Sequence, residues 1–192
     1  MFNREINAGL MSAVMAFGLA LSGPAQAEFT RSDATGLDIQ AEKTVSQFLA
    51  ETKGADAVLA DAKGVLVCPK IVKGGFTVGV ESGKCVLTSG SPEHLYYGMT
   101  ALKAGFIIGI SSYSMILAFN TDTALAKFTS NTREWELGVD ANVAVAKIGV
   151  GGDLDTTNLK RDIVSFIFGQ KGLIADATFE GSRFKKLDVD GE

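Results

Sequence analysis

The chain has 192 residues, of which 46% are hydrophobic, and its formal net charge is −4. This length fits one domain with a substantial buried core. A mildly acidic protein is not drawn to nucleic acid or to anionic membranes by its overall field, so any such binding requires a local basic patch.

The N-terminus has the pattern of an export signal. An apolar run of 14 residues, Ala8 to Leu21, is too short for a membrane span, which takes about 20 residues. The small residues Ala25 and Ala27 then form a cleavage site for a signal peptidase. We predict that residues 1–27 are a cleaved signal peptide and that the protein is periplasmic or secreted.

The following residues predict a flexible lead-in and then one domain. The lead-in covers residues 28–36 and the domain covers residues 37–192. Apolar residues recur at helical spacing from Leu37 to Ala62, which predicts a helix that Gly54 interrupts.

Three short antiparallel strands are predicted next, because glycine, proline and polar residues punctuate short apolar runs. The intervening breaks are Pro69, Gly74-Gly75 and the polar stretch from Glu81 to Lys84. The predicted strands are residues 64–68, 76–80 and 85–87.

The two cysteines, Cys68 and Cys85, can be either bonded or free at this stage. A disulfide closing this separation would contribute on the order of 3 kcal/mol. In a plain three-strand meander the two residues would flank the middle strand, roughly 9–10 Å apart, whereas a disulfide needs Cα atoms within about 7 Å. A bond would therefore require a different strand order.

The rest of the chain adds mainly strands. The segment Gly105–Asn120 predicts two buried strands or one bent strand, and Thr121–Phe128 predicts a short capped helix. Apolar and mostly polar residues alternate six times from Trp135 to Val145, which predicts a strand with one buried face. Residues 163–168 and 173–179 predict two further strands. The predicted fold class is α+β, mainly β: antiparallel strands forming a closed or sandwich-like sheet, with an N-terminal helix and one or two short helices.

Motifs for catalysis are absent from the sequence, so we predict no enzyme, no cofactor and no metal. His94 is the only histidine, and beside Tyr96 and Tyr97 it is interpreted as structural, since one histidine cannot build a zinc site by itself. Asp153 and Asp155 offer clustered oxygens, which are either a tight turn or a cation site.

Lysines are concentrated between residues 63 and 84. This stretch contains four lysines and one acid, Glu81, so its local charge is +3 in a chain of net negative charge. The lysines are Lys63, Lys70, Lys73 and Lys84. They are either scattered solvated side chains or a patch that faces phosphate groups, each near-surface charge contributing about 1 kcal/mol toward an anionic membrane.

Three ordered segments and the C-terminal stretch resemble the SYLF domain family, from about Ala41 to Asp188. They read KGVLVCPKIVKGGFTVG, SYSMILAFNTDTALAKF, WELGVDANVAVAKIGVGGDLDTTNLK and IVSFIFGQKGLIADATFEGSRFKKLD. The resemblance implies a non-enzymatic domain related to actin-patch regulators that binds phosphoinositides. Lys70 and Lys73 match basic positions of the motif, while Lys63 and Lys84 are added from charge clustering.

The resulting hypothesis is a domain that binds anionic phospholipid or phosphoinositide-like head groups through the lysine-rich hairpin. Nucleic acid is not expected as a partner, and actin is not expected for an exported protein. Two alternatives stay open: an envelope protein that acts through a protein partner, and a carrier of a small hydrophobic ligand with Gly105–Asn120 as a pocket wall.

Overall fold

A computed structural model describes residues 28–75, 78–104, 109–130, 134–137, 143–146, 159–171 and 181–189. The helices in these ranges are α1 (Arg31–Glu51), α2 (Ala55–Asp61) and α3 (Asp122–Ser130). The strands are β1 (Gly64–Gly75), β2 (Val78–Ser89), β3 (Leu95–Ala104), β4 (Gly109–Phe119), β5 (Trp135–Glu136), β6 (Ala144–Ala146), β7 (Ile163–Lys171) and β8 (Ser182–Leu187).

The described strands form one curled sheet in the order β5-β8-β3-β2-β1-β4-β7-β6. Neighbouring strands are antiparallel except β6 and β7, which are parallel. The predicted fold class, α+β and mainly β with an N-terminal helix, is confirmed. The long strands β1 and β2 lie at the centre of the sheet and carry Lys70, Lys73 and Lys84 of the predicted lysine patch.

Helix α1 begins at Arg31, six residues earlier than predicted. Thr30 caps it: the Thr30 hydroxyl accepts from the Asp33 N–H at 3.2 Å, and the Asp33 carboxylate accepts from the Thr30 N–H at 3.0 Å. The hydrogen bond from the Thr30 backbone is the main reason that the pKa of Asp33 lies below its usual value. Residues 31–36, expected in a flexible lead-in, are therefore helical. Gly54, at a φ of 77°, separates α1 from α2 as predicted.

The sheet has two apolar faces. The inner face carries Leu66, Met115 and Leu117 and packs against Phe128 of α3. The outer face packs against α1, whose buried residues recur at helical spacing: Ala34, Leu37, Ala41, Thr44 and Phe48. The Phe48 ring centroid lies 5.0 Å from that of Phe166 on β7. Helix α1 therefore covers the part of the outer face formed by Val67 and its neighbours.

The predicted three-strand meander is wrong, because β1 and β2 are two long paired strands. Pro69 does not stop β1: it lies at a β-bulge between Cys68 and Ile71, where the missing N–H breaks no ladder. The predicted turn from Glu81 to Lys84 is the middle of β2. A Cβ at Gly83 would lie 2.9 Å from the Lys70 carbonyl oxygen, so a glycine is needed there for close strand approach.

The other predicted elements have mixed outcomes. The short helix is confirmed as α3, where the Thr121 hydroxyl accepts from the Ala124 N–H at 3.2 Å. Of the segment 105–120, residues 109–119 form the single strand β4. The alternating segment supplies β5 and β6 at the two edges of the sheet, with residues 138–142 outside the described residues. Strand 163–168 extends to Lys171, strand 173–179 lies outside the described residues, and β3 and β8 were not predicted.

Candidate functional site

The four predicted lysines do not form one cluster. Lys63 is exposed and lies just before the first residue of β1, where its backbone N–H donates to the Phe119 carbonyl at 2.7 Å. Lys70 lies seven residues further along the same strand, which is about 20 Å at the usual rise of a strand. Lys63 is therefore outside any site that contains Lys70.

Lys73 lies on the inner face and is paired with an acid. Its Nζ is 3.4 Å from Glu81 Oε1, and the two side chains are only 13% and 2% exposed. The Tyr113 hydroxyl donates to Glu81 Oε2 at 2.8 Å. Burial, and then the Glu81 charge, raises the pKa of Tyr113. The charge of Lys73 is thus balanced inside the domain and does not contribute to a cationic patch on the outer face.

Lys70 and Lys84 lie side by side on the outer face. They are direct partners in the β1–β2 register, and both are exposed. Like charges at directly opposed positions repel each other. Lys84 Nζ also lies 4.6 Å from the centroid of the Phe29 ring, a cation–π contact that holds it near the start of α1. An anion between the two ammonium groups would relieve their repulsion.

A groove runs between α1 and the outer face next to these lysines. One hollow of about 400 Å³ is lined by Lys43 of α1, Lys70 of β1 and Lys171 of β7. A second hollow of about 340 Å³ shares Lys70 and includes Lys84. Together they form what we call the basic groove. Asp33 is the one carboxylate that lines it among the described residues.

Two β-bulges shape the floor of the basic groove. Strand β1 carries one extra residue between Cys68 and Ile71, and β7 carries one between Phe168 and Lys171. Between them, the Ser114 hydroxyl of β4 donates to the Pro69 carbonyl at 2.8 Å. Bulges bend a strand and redirect its side chains, so they help to set the directions of Lys70 and Lys171.

The side chains of the basic groove suit an anion with several oxygen atoms. Ammonium groups and the Ser112 hydroxyl can all donate hydrogen bonds to phosphate oxygens. The chemistry of this lining therefore suits a phosphorylated group.

Residues 100–188 match the protein family described as Ysc84, Las17-binding protein actin regulator. This part of the chain is similar to the Ysc84 (SYLF) domain family. The resemblance noted in the sequence is thereby confirmed. The matched residues include Ser112, Ser114 and Lys171 of the basic groove, whereas Lys70 and Lys84 precede them.

Curated proteins that resemble this chain are longer than it is. The chain is 27% identical over 132 residues to the SH3 domain-containing YSC84-like protein 1 of Homo sapiens, covering 65% of this chain and 37% of that protein. The protein of the same name in Mus musculus is 28% identical over 132 residues, covering 65% of this chain and 38% of that protein. The chain thus spans a little over a third of the length of these relatives.

Cys68 and Cys85 form a disulfide between β1 and β2. The Cα atoms of Cys68 and Cys85 are 4.1 Å apart, and both residues are fully buried in the inner-face cluster. The meander geometry predicted a larger separation because it assigned the cysteines to non-adjacent strands. The bond lies beside the Lys70–Lys84 pair and links the two strands that carry it.

His94 takes part in a group of polar contacts that links α1 to β3. The Asp38 carboxylate lies 3.1 Å from His94 Nδ1 and accepts from the Tyr96 hydroxyl at 3.0 Å. Burial, and then this hydrogen bond, raises the pKa of Tyr96 to about 12. This arrangement agrees with a structural role for His94, because its ring holds the helix to the sheet.

The predicted oxygen cluster cannot be placed, because Asp153 and Asp155 lie outside the described residues. Across the described ranges, no group of three or more histidine, cysteine, aspartate or glutamate side chains could hold a metal ion. Within the same ranges, no helix has the length and apolar character needed to cross a bilayer.

Proposed function

We propose that this domain binds anionic phospholipid, with phosphoinositide-like head groups among its ligands, in the basic groove. The observation that carries the proposal is the adjacency of Lys70 and Lys84, with Lys43 and Lys171 along the same groove. Similarity to a family associated with lipid binding supports it. Lys63 and Lys73, members of the lysine patch predicted from the sequence, have no part in the proposed site.

The expected electrostatic energies are large enough to measure. Each lysine near an anionic membrane contributes about 1 kcal/mol, so four would give about 4 kcal/mol before any direct hydrogen bonds form. Replacing Lys70 and Lys84 with glutamate removes two attractions and adds two repulsions. The expected loss is about 4 kcal/mol, which corresponds to roughly a thousandfold weaker partitioning.

Flotation with liposomes tests the proposal. The wild-type domain should float with vesicles of phosphatidylcholine and phosphatidylglycerol but not with phosphatidylcholine alone, and the Lys70→Glu/Lys84→Glu variant should stay in solution. High salt should weaken wild-type binding, because the Debye length falls from about 10 Å at 0.1 M to about 3 Å at 1 M.

The matched control is Lys63→Glu/Lys160→Glu, which has the same net charge as the groove variant. Both of these lysines are exposed and lie next to the ends of β1 and β7 that are remote from Lys70 and Lys171. The control should keep most of its vesicle binding. Equal losses in the two variants would show that overall charge, and not the groove, governs binding. A wild-type domain that floats with no vesicle would refute lipid binding and favour a protein partner.

We also propose that the domain acts outside the cytoplasm. The Cys68–Cys85 disulfide supports this, because disulfides persist in oxidising compartments and are rare in the cytosol. Actin regulation, which the family description carries, is not extended to this chain, because an exported protein would not meet actin. Cell fractionation tests the proposal: recovery of the protein with a cytosolic marker would contradict it.

A further inference from the structure

Large apolar side chains are exposed on the outer face beyond the basic groove. They alternate along their strands with inner-face residues such as Ile71, Ala101 and Tyr113, so they lie on the outer face. Helix α1 covers a different part of the same face. The exposed fractions are 80% for Ile110, 73% for Leu102, 56% for Val78, 50% for Val80 and 38% for Val72. Contiguous exposed apolar surface of this kind marks an interaction site.

These residues form a continuous row across four strands. Leu102 is the register partner of Val80, Val80 is the partner of Gly74, and Gly74 is the partner of Ile110. A Cβ at Gly74 would lie 3.8 Å from Ile110 Cγ1, so the isoleucine leans over the glycine and narrows the gap in the row. Leu102, Val80 and Ile110, with Val78 beside them, are called the apolar row below.

A band of mostly hydroxyl-bearing and charged residues separates the apolar row from the lysine pair. Ser82 and Thr100 are register partners and are both exposed. Lys171 pairs with Ser112 at one end of this level, and Val72 lies in its middle as the partner of both Ser82 and Ser112. At the other end Arg183, whose guanidinium is 3.2 Å from the Glu136 carboxylate, pairs with Thr100. One further step along the strands lie Lys70 and Lys84. The outer face therefore changes from apolar to hydroxyl-bearing to cationic in a single direction, from the apolar row toward α1.

We propose that the apolar row inserts at the hydrocarbon boundary of a bilayer while the basic groove holds the headgroup phosphates. This inference rests on the proposed lipid binding and adds the surface that enters the membrane. The order of layers matches that of a lipid leaflet, and the cations behind the row complement anionic head groups. A protein partner would require no such gradient along the strands.

The dimensions agree with this orientation. Val80 and Lys84 are four residues apart on β2, which is about 13 Å along an extended strand. A lysine side chain can reach back along the surface by about 6 Å, which for Lys84 requires release of its contact with the Phe29 ring. Its ammonium group would then lie about 7 Å from the hydrocarbon boundary. The headgroup region of one leaflet is about 5–8 Å thick, so the lysines reach the phosphate level when the apolar row reaches the acyl chains.

Tryptophan placed in the apolar row tests the insertion directly. Ile110→Trp puts the probe at the most exposed position of the row, and Lys63→Trp is the control at the far end of β1. The native Trp135 is buried and gives a constant background. With vesicles of phosphatidylglycerol and acyl-chain-brominated phosphatidylcholine, Ile110→Trp emission should shift to the blue and be quenched, and Lys63→Trp emission should not.

A second variant measures the contribution of the row to binding. Leu102→Ser/Ile110→Ser should weaken partitioning into anionic vesicles by about tenfold or more, and the binding that remains should be more sensitive to salt. Lys70→Glu/Lys84→Glu should instead remove the salt-sensitive component. Both substitutions of the apolar row are at exposed positions, so circular dichroism should show an unchanged fold.

The outcomes separate this inference from the proposed function. If Ile110→Trp floats with vesicles but is not quenched, insertion is overturned while lipid binding stands. If no variant and no wild-type protein floats, both are overturned. If the wild type binds no vesicle but self-associates, and Leu102→Ser/Ile110→Ser abolishes the association, the row is a contact between copies and the insertion is overturned.

Discussion

The disulfide between Cys68 and Cys85 should be a major contributor to the stability of the domain. It closes a sequence separation of 17 residues, for which the loss of chain entropy in the unfolded state corresponds to about 3 kcal/mol. Both residues are 0% exposed, so Cys68→Ala/Cys85→Ala also removes two buried sulfur atoms, at a cost of about 1 kcal/mol. The total expected loss is about 4 kcal/mol. For a domain of this size, that lowers the melting temperature by about 10 °C.

Denaturant unfolding followed by circular dichroism measures this loss. The double-alanine variant should unfold at a lower denaturant concentration than the oxidised wild type, and a reducing agent should not change its transition. The wild type unfolded and refolded under reducing conditions should approach the variant. β1 pairs with β2 and with β4 along its length, so the variant should keep its fold and place Lys70 beside Lys84.

Two results would refute this reasoning. An unchanged unfolding midpoint in Cys68→Ala/Cys85→Ala would show that the bond stabilises nothing. Reaction of two thiols per molecule in the unreduced, denatured wild type would show that Cys68 and Cys85 are free. The vesicle assay adds a functional readout: the variant should bind at temperatures below its transition, because the strand register and not the bond sets the lysine pair.

Three further perturbations test the fold. Phe48→Ala should lower the free energy of unfolding by about 3–5 kcal/mol in denaturant titrations, because its ring is fully buried against Phe166. Tyr97→Phe should raise that free energy by about 1 kcal/mol, because the Tyr97 hydroxyl is buried with no hydrogen-bond partner among the described residues; destabilisation would contradict this. Burial raises the pKa values of Tyr96 and Tyr97 from 10.0 to about 12. Since the unfolded chain releases these protons first, their contribution to stability is complete below pH 10 and is lost as the pH rises through 12. Tyrosinate absorbance should therefore appear together with unfolding, and ordinary titration near pH 10 in the folded state would contradict the burial.

Local signals predicted the helices well. The apolar spacing from Leu37 onward, the break at Gly54 and the cap at Thr121 all depend on neighbours within one or two helical turns. The one error was the start of α1. The capping box formed by Thr30 and Asp33 is visible in the sequence, and it would have placed the helix start at Arg31.

Local signals failed in the central strands because their meaning there depends on other strands. Considered alone, Pro69 predicts the end of a strand and Gly83 predicts a turn. In the sheet, Pro69 occupies a bulge and Gly83 allows the Lys70 carbonyl to approach closely. Glu81, read as a turn residue, is buried because Lys73 and Tyr113 on other strands provide its partners.

The sequence by itself indicated the resemblance to the SYLF family, the mainly β class and the excess of lysine between residues 63 and 84. Only the tertiary structure decided which lysines act together. Lys70 and Lys73 are three residues apart on one strand, so they lie on opposite faces, whereas Lys70 and Lys84 become neighbours through the pairing of β1 with β2. Lys43 and Lys171 join them from a helix and a more distant strand. Such a site depends on pairing between remote segments, which residue type and spacing along the chain do not specify.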